Sequence, residues 1–400
     1  MGCWRSKLEP QGRKSKEIEE IYKVNKKEGK EKEAEKKEPS PVAPRGKIKV
    51  KFDQRVTAKY DIKALIGKGS FSRVVRVEHR ITKQPYAIKM LDRVRGKEVF
   101  ESELQVLRRV SHQYIIQLIE VFESTSKVYM VMELATGGEL FDRIIAKGSF
   151  TETDATRVLY MVLDGVKYLH SLGITHRDLK PENLLYYHPG SDSKILITDF
   201  GLSSTRKSAD SHMDTTCGTS EYIAPEVLAK QPYTSQVDMW AVGVIGYILL
   251  SGTMPFDDDN KSRLYKTILK GKYSYKSEYW KDVSEEAKDF IDNLLLVDPN
   301  IRMTASQALK HSWIMSKAAT ASNKNLHRTI SQNLLRRQST RSSLKSATSR
   351  QSAKSLRSEH RHVLPEEIDA LHRDPQIRAE IRSLSSRTNT PAKSPASSSS

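Results

Sequence analysis

Residues 176–183 read His-Arg-Asp-Leu-Lys-Pro-Glu-Asn, and Asp199-Phe200-Gly201 follows sixteen residues after Asn183. Neither string is rare by itself. Both in this order, with the segments upstream of them, leave little freedom in what the chain can fold into. Gly67-Lys68-Gly69-Ser70-Phe71-Ser72-Arg73-Val74 lies between the apolar stretches Ile62–Ile66 and Val74–Val77. That pattern predicts a hairpin whose glycines permit a close backbone approach that a Cβ would block. On the next predicted strand, alternation puts Ala87 and Lys89 on one face and Ile88 on the other. An inward lysine needs an anionic partner, because an unpaired buried ammonium is costly. The predicted helix over 97–110 carries Phe100, Glu103, Leu104 and Leu107 on one stripe. Glu103 is therefore the expected partner of Lys89, with Glu98 and Glu101 turned towards solvent.

This set resembles a eukaryotic-type Ser/Thr protein kinase. The resemblance implies an α+β, two-lobed fold: a small antiparallel β-sheet lobe with one main helix, a large mostly helical lobe, and disordered flanking tails. It implies ATP and Mg²⁺. Asp178 would accept the substrate hydroxyl proton, and Asn183 and Asp199 would hold the metal. Gly67, Gly69, Ser70, Val74 and Ala87 would cover the nucleotide, and Lys89–Glu103 would hold its α- and β-phosphates. Tyr129–Leu134 resembles the hinge strand, with Met132 as gatekeeper and backbone groups of Glu133 and Ala135 offered to adenine. Lys180, two residues after Asp178, resembles the Ser/Thr class, and Thr219 stands where that class closes the catalytic hydrogen-bond network. Glu139 and Glu182 resemble the acidic pair that receives a substrate arginine at −3, through bidentate guanidinium–carboxylate pairing. Thr215 occupies the usual activating phosphosite, with Arg177 as its cationic pocket. Glu226 of Ala224-Pro225-Glu226 is expected to pair with Arg302, and Asp238-Met239-Trp240 resembles the start of the buried helix that anchors the catalytic loop. Ser72 and Ser220 depart from the usual Gly and Pro. They are the only support for the competing reading, a pseudokinase that signals by binding.

Glu133-Leu-Ala-Thr-Gly-Gly-Glu-Leu-Phe-Asp142 and Tyr186-Tyr-His-Pro-Gly190 are similar to the calcium/calmodulin-dependent kinase group. The Met-Gly-Cys start and Lys51-Phe-Asp-Gln-Arg-Val-Thr-Ala-Lys-Tyr60 are similar to the serine kinase H family within it.

Charge is unevenly placed. Of the total +18, residues 1–51 carry +7 and residues 316–400 carry +10, which leaves +1 for the body. A near-neutral body argues against a nucleic-acid-binding fold; the basic arms suit membranes, acidic proteins or regulators. The expected organisation is an acylated basic arm over 1–51, a kinase domain over 60–314, and a Ser/Arg-rich tail over 315–400 that is largely disordered. Cys3 and Cys217 suggest neither a disulfide framework nor a thiolate metal site. Nothing resembles a membrane span or a secretory signal, so the expected location is the cytosol and the cytoplasmic face of membranes, whether Golgi, other endomembrane or plasma membrane. Met1-Gly2-Cys3-Trp4-Arg5-Ser6 fits N-myristoylation at Gly2, with Cys3 a palmitoylation candidate.

Within 323–337, Leu326, Ile330 and Leu334 fall on one helical face, and Lys324, Arg328, Arg336 and Arg337 supply charge. Such a basic amphipathic helix suits calmodulin or an anionic membrane surface. Ser331 and Ser339 each follow an arginine at −3, which makes both candidate autophosphorylation sites.

Overall fold

A computed structural model describes residues 52–68, 72–93, 97–205, 213, 219–316, 324–336, 368–369 and 372–388. The small lobe is a five-stranded antiparallel sheet in the order β1-β2-β3-β5-β4. Its strands are β1 (Tyr60–Lys68), β2 (Ser72–His79), β3 (Pro85–Asp92), β4 (Leu118–Glu123) and β5 (Lys127–Glu133). The helix α1 (Lys97–Leu107) lies between β3 and β4 in the chain, and its Phe100, Leu104 and Leu107 join Leu91, Val128 and Met130 in the core. Gly67 pairs with Val74, and Val74 with Lys89. The glycine hairpin is thereby set in register over the lysine.

The large lobe is helical. It contains α2 (Leu140–Lys147), α3 (Glu152–Ser171), α4 (Pro225–Leu228), α5 (Gln236–Ser251), α6 (Lys261–Lys270) and α7 (Glu285–Leu294). Thr151 and Asp154 close a capping box at the start of α3. From Val237 to Ser251 every residue of α5 is buried, as an all-round apolar helix requires. Between the lobes, β6 (Leu184–Tyr186) pairs antiparallel with β7 (Ile195–Ile197), Leu184 facing Ile197. That short ladder explains the sixteen-residue spacing. It returns the chain so that Thr198 donates its N–H to the Asn183 carbonyl at 2.9 Å, leaving Asn183 and Asp199 at one end of the ladder.

Two stretches of the tail are helical and packed; the first falls within the amphipathic helix expected over 323–337, and the second lies where the sequence reading expected little order. Residues 327–336 form a helix, and its Ile330 and Leu334 are buried together with Leu326, which precedes it. Leu326 donates its N–H to the Phe150 carbonyl at 2.7 Å, and Asn333 Nδ2 donates to the Ser251 carbonyl at 2.9 Å. Gly252 caps α5 with φ 73°, and a Cβ there would stand 2.6 Å from the Ile330 carbonyl oxygen. Ser331 is buried and shares a hydrogen bond with His327 at 2.9 Å. Its phosphorylation therefore requires the helix to leave; Ser339 lies outside the described residues. A second tail segment, ending in the helix Pro375–Thr388, packs on α6. No described helix is long and apolar enough to cross a membrane.

Candidate active site

Lys89 stands on the inward face of β3, where its Nζ lies 2.7 Å from both Glu103 oxygens and 3.2 Å from Asp199 Oδ1. Burial works against the Lys89 charge, but the Asp199 and Glu103 carboxylates outweigh it and hold the ammonium above the ordinary lysine value. Lys89 in turn is the main reason the Asp199 carboxyl falls to about 2. Glu103 is pushed up by burial, and the Lys89 contact pulls it back. Asp199 itself is about half exposed in the cleft, at 52%, so its charge faces whatever enters there.

On the large-lobe side, Asp178, Lys180 and Thr219 form a closed triangle. Lys180 Nζ is 2.7 Å from Asp178 Oδ2 and donates to Thr219 Oγ1 at 2.9 Å. Thr219 Oγ1 donates to Asp178 Oδ1 at 2.8 Å. Asn183 Nδ2 donates to the Asp178 carbonyl at 2.8 Å and to Oδ2 at 3.2 Å. All four side chains are buried. A carboxylate surrounded by these donors has its orientation fixed before any ligand arrives, which is the preorganisation that charge-stabilising catalysis needs.

The loop carrying Asp178 is pinned from beneath. The buried Asp238 carboxylate accepts the backbone N–H groups of His176 and Arg177, each at 2.9 Å, and bonds His170 Nε2 at 2.9 Å. Burial pushes Asp238 up, but these hydrogen bonds and the two imidazoles bring it below the ordinary carboxylate value. His176 Nε2 reaches the Thr198 carbonyl at 3.0 Å, tying this loop to the Asp199 turn. Arg177 and Asp199 both hold positive φ, 68° and 63°, a backbone state uncommon for side-chain-bearing residues and concentrated at functional sites.

Met132 faces Ala87 across the β3–β5 pair, and Glu133 faces Tyr86. Gln117 N–H donates to Glu133 Oε1 at 2.8 Å, and half-buried Ala135 follows where the strand ends. Glu139 is the N-cap residue of α2, and α2 packs on the turn Pro181–Asn183 that carries Glu182. Arg177 directs its Nε to the Leu202 carbonyl at 2.5 Å and its Nη1 to Tyr233 Oη at 3.2 Å. Gly69, Ser70, Thr215, Gly2 and Cys3 lie outside the described residues. Farther off, Arg302 Nη1 and Nη2 bracket Glu226 at 2.7 and 3.0 Å.

Sequence reasoning missed His170 as a partner of Asp238, and it missed the engagement of Lys266 by the tail, 3.3 Å from Asp374 and 2.6 Å from Gln376 Oε1. A signal for the second was present. Asp374-Pro375 is an N-cap followed by proline at N1, with Ile377, Ile381 and Leu384 at helical spacing behind it.

A β-sheet lobe and a helical lobe that bring Lys89, Glu103, Asp178, Asn183 and Asp199 together define a protein kinase. The protein-kinase-domain family model matches residues 60–314, and the chain belongs to that family. It is an ATP-dependent Ser/Thr kinase. The chain is 66% identical over 416 residues to a serine/threonine-protein kinase H1 homolog of Pinctada fucata, covering 96% of this chain and all of that one. It is 74% identical over 298 residues to serine/threonine-protein kinase H1 of Homo sapiens, covering 74% of this chain and 70% of the relative. A more distant similarity, 50% over 285 residues, is to calcium/calmodulin-dependent protein kinase type 1 of Macrobrachium nipponense, covering 70% and 81%.

Proposed function

We propose that this kinase phosphorylates Ser/Thr hydroxyls in basic protein segments with arginine at −3, and that acyl groups on Gly2 and Cys3 hold it on the cytoplasmic face of a membrane. The observation that carries the catalytic assignment is the buried Asp178–Lys180–Thr219 triangle, with contacts of 2.7, 2.9 and 2.8 Å. In this reading Asp178 accepts the proton of the attacking hydroxyl. The substrate oxygen forms a bond to the γ-phosphorus as the bond to the β–γ bridging oxygen breaks, and ADP leaves. Lys180 offers its charge to the transferred oxygens, Lys89 engages the α- and β-phosphates, and the strand end at Met132–Ala135 receives adenine.

The residues present fit Mg²⁺. Asn183 directs its amide nitrogen at Asp178, which turns its amide oxygen away from that carboxylate. Asp199 is held ionised well below neutral pH. Among the described residues no group of three or more His, Cys, Asp or Glu side chains converges as a protein-built cage. One carboxylate and one amide oxygen, completed by water and phosphate oxygens, suit this hard, strongly hydrated cation. When bound, it would neutralise phosphate charge as the bond breaks.

Glu139, at the start of the helix that packs on the turn carrying Glu182, supports the basic preference together with Glu182, and Met1-Gly2-Cys3-Trp4-Arg5-Ser6 supports acylation. Calmodulin is proposed as a regulator acting on 323–337, supported by the relative named for that dependence. Its apolar anchors Leu326, Ile330 and Leu334 are covered by the large lobe, so calmodulin would capture the helix only after it undocks. ATP-dependent phosphate incorporation into an Arg-rich peptide tests the central reading. It should vanish in Asp199→Ala and lose its arginine preference in Glu139→Ala. A wild-type chain that binds ATP without transferring phosphate would favour the pseudokinase instead.

A further inference from the structure

The second tail contact has no part in this chemistry. Residues 368–369 and 372–388 bury Ile368, Ile377 and Leu384 against the large lobe. Around those anchors, Asp369 pairs with Lys230, and Asp374 accepts from Ser262 Oγ at 3.0 Å and lies 3.3 Å from Lys266 Nζ. Glu380 lies 2.9 Å from Lys270, and His372 Nε2 lies 2.8 Å from the Leu228 carbonyl at the end of α4.

The signs of charge are sorted. From residue 316 onward the tail has sixteen Lys/Arg and six Asp/Glu, and three of those six acids meet a body lysine here. Two of the basic residues of the same stretch bond the tail's own backbone. Arg378 donates to the Arg373 carbonyl, and Arg382 to the Arg378 carbonyl. The face adjoins the catalytic loop through the chain itself, because Leu228 lies nine residues after Thr219, whose hydroxyl bonds Asp178.

We propose that the α4–α6 face, with Lys230, Lys266 and Lys270 around an apolar groove, is a protein-docking surface for an amphipathic helical segment that sets acidic side chains against these lysines. Residues 368–369 and 372–388 occupy it in cis, and a partner segment of the same pattern binds when they leave. The three ion pairs are partly exposed, with side chains 21–55% accessible, so salt screens them. Residues 337–367 keep the departed segment tethered, which makes its return an intramolecular competition.

The test is fluorescence titration of a labelled peptide spanning 366–388 into the full chain and into the full chain carrying Ile377→Asp and Leu384→Asp. The substituted chain should bind the peptide, and wild type at least about tenfold more weakly, because the cis segment competes at high effective concentration. Adding Lys266→Glu and Lys270→Glu should remove that binding, and a peptide with Asp374→Lys and Glu380→Lys should restore it. Equal affinity for both chains, no binding to the opened chain, or indifference to the lysine reversals would each overturn the proposal. Unsubstituted protein supplies an independent arm. Amide exchange over 375–388 should accelerate about tenfold on going from low salt to about 0.5 M while α5 stays protected. Protection there that ignores salt would also overturn it.

Discussion

Arg302→Ala should be the most damaging single truncation outside the catalytic centre. The Arg302 guanidinium brackets Glu226 at 2.7 and 3.0 Å, donates to the Gln236 carbonyl at 2.7 Å and the Leu296 carbonyl at 2.9 Å, and lies 5.2 Å from the Trp240 ring centre. Glu226 is 1% exposed, so water does not replace the lost partner. Removing one member of a buried pair leaves a desolvated charge and costs about 3–5 kcal/mol. That is a large share of the roughly 5–15 kcal/mol of a typical domain. At about 2–4 °C per kcal/mol for a domain of this size, the melting temperature should fall by about 10 °C. Converting both residues to methionine removes the stranded carboxylate as well as its partner. The double variant should therefore be more stable than Arg302→Ala, with a coupling of about 2–3 kcal/mol across the cycle. Urea and thermal unfolding of Arg302→Met, Glu226→Met, the double variant and wild type, with Arg302→Ala beside them, measure this. A loss under about 1 kcal/mol for Arg302→Ala, or additive single effects, would refute the reasoning.

Lys89→Met, Asp178→Asn and Asp199→Ala should each lower kcat/KM at least about a thousandfold while the folded chain persists, as read by peptide phosphorylation beside circular dichroism. Asp199 titrates near 2 rather than 3.8; its folded value is the lower one, so the stabilisation is complete above 3.8 and is lost as pH falls through about 2. Lys89→Met removes the largest cause, so the Asp199 carboxyl should titrate near or above 3.8 by carbon-detected NMR, and an unmoved midpoint would count against the contact. Gly252→Ala, which meets both the positive φ and the Ile330 carbonyl, should undock the 327–336 helix, raise its amide exchange and strengthen calmodulin binding; unchanged exchange would disprove that packing. Gly2→Ala should move the protein from the membrane fraction to the soluble one in fractionated cells, and wild type found wholly soluble would defeat the acylation reading.

The site was legible from sequence where chemistry and local period coincide. Strand alternation turned Lys89 inward, and the 3–4 helical stripe selected Glu103 over Glu98 and Glu101. These are local rules, since a side chain's face follows from its own backbone period. The spacing between Asn183 and Asp199 was visible but not its cause, which is the Leu184–Ile197 pairing. Only the tertiary structure decided which acids Lys230, Lys266 and Lys270 would meet, and which surface would cover Leu326, Ile330 and Leu334. A chain with sixteen basic and six acidic tail residues announces a solvated arm by composition. The few apolar residues that dock it are worth burying only because α5 and α6 present a matching groove. Those surfaces lie about 80 to 110 positions away, as Ser251 does from Asn333 and Ser262 from Asp374, so no short window of the sequence contains them.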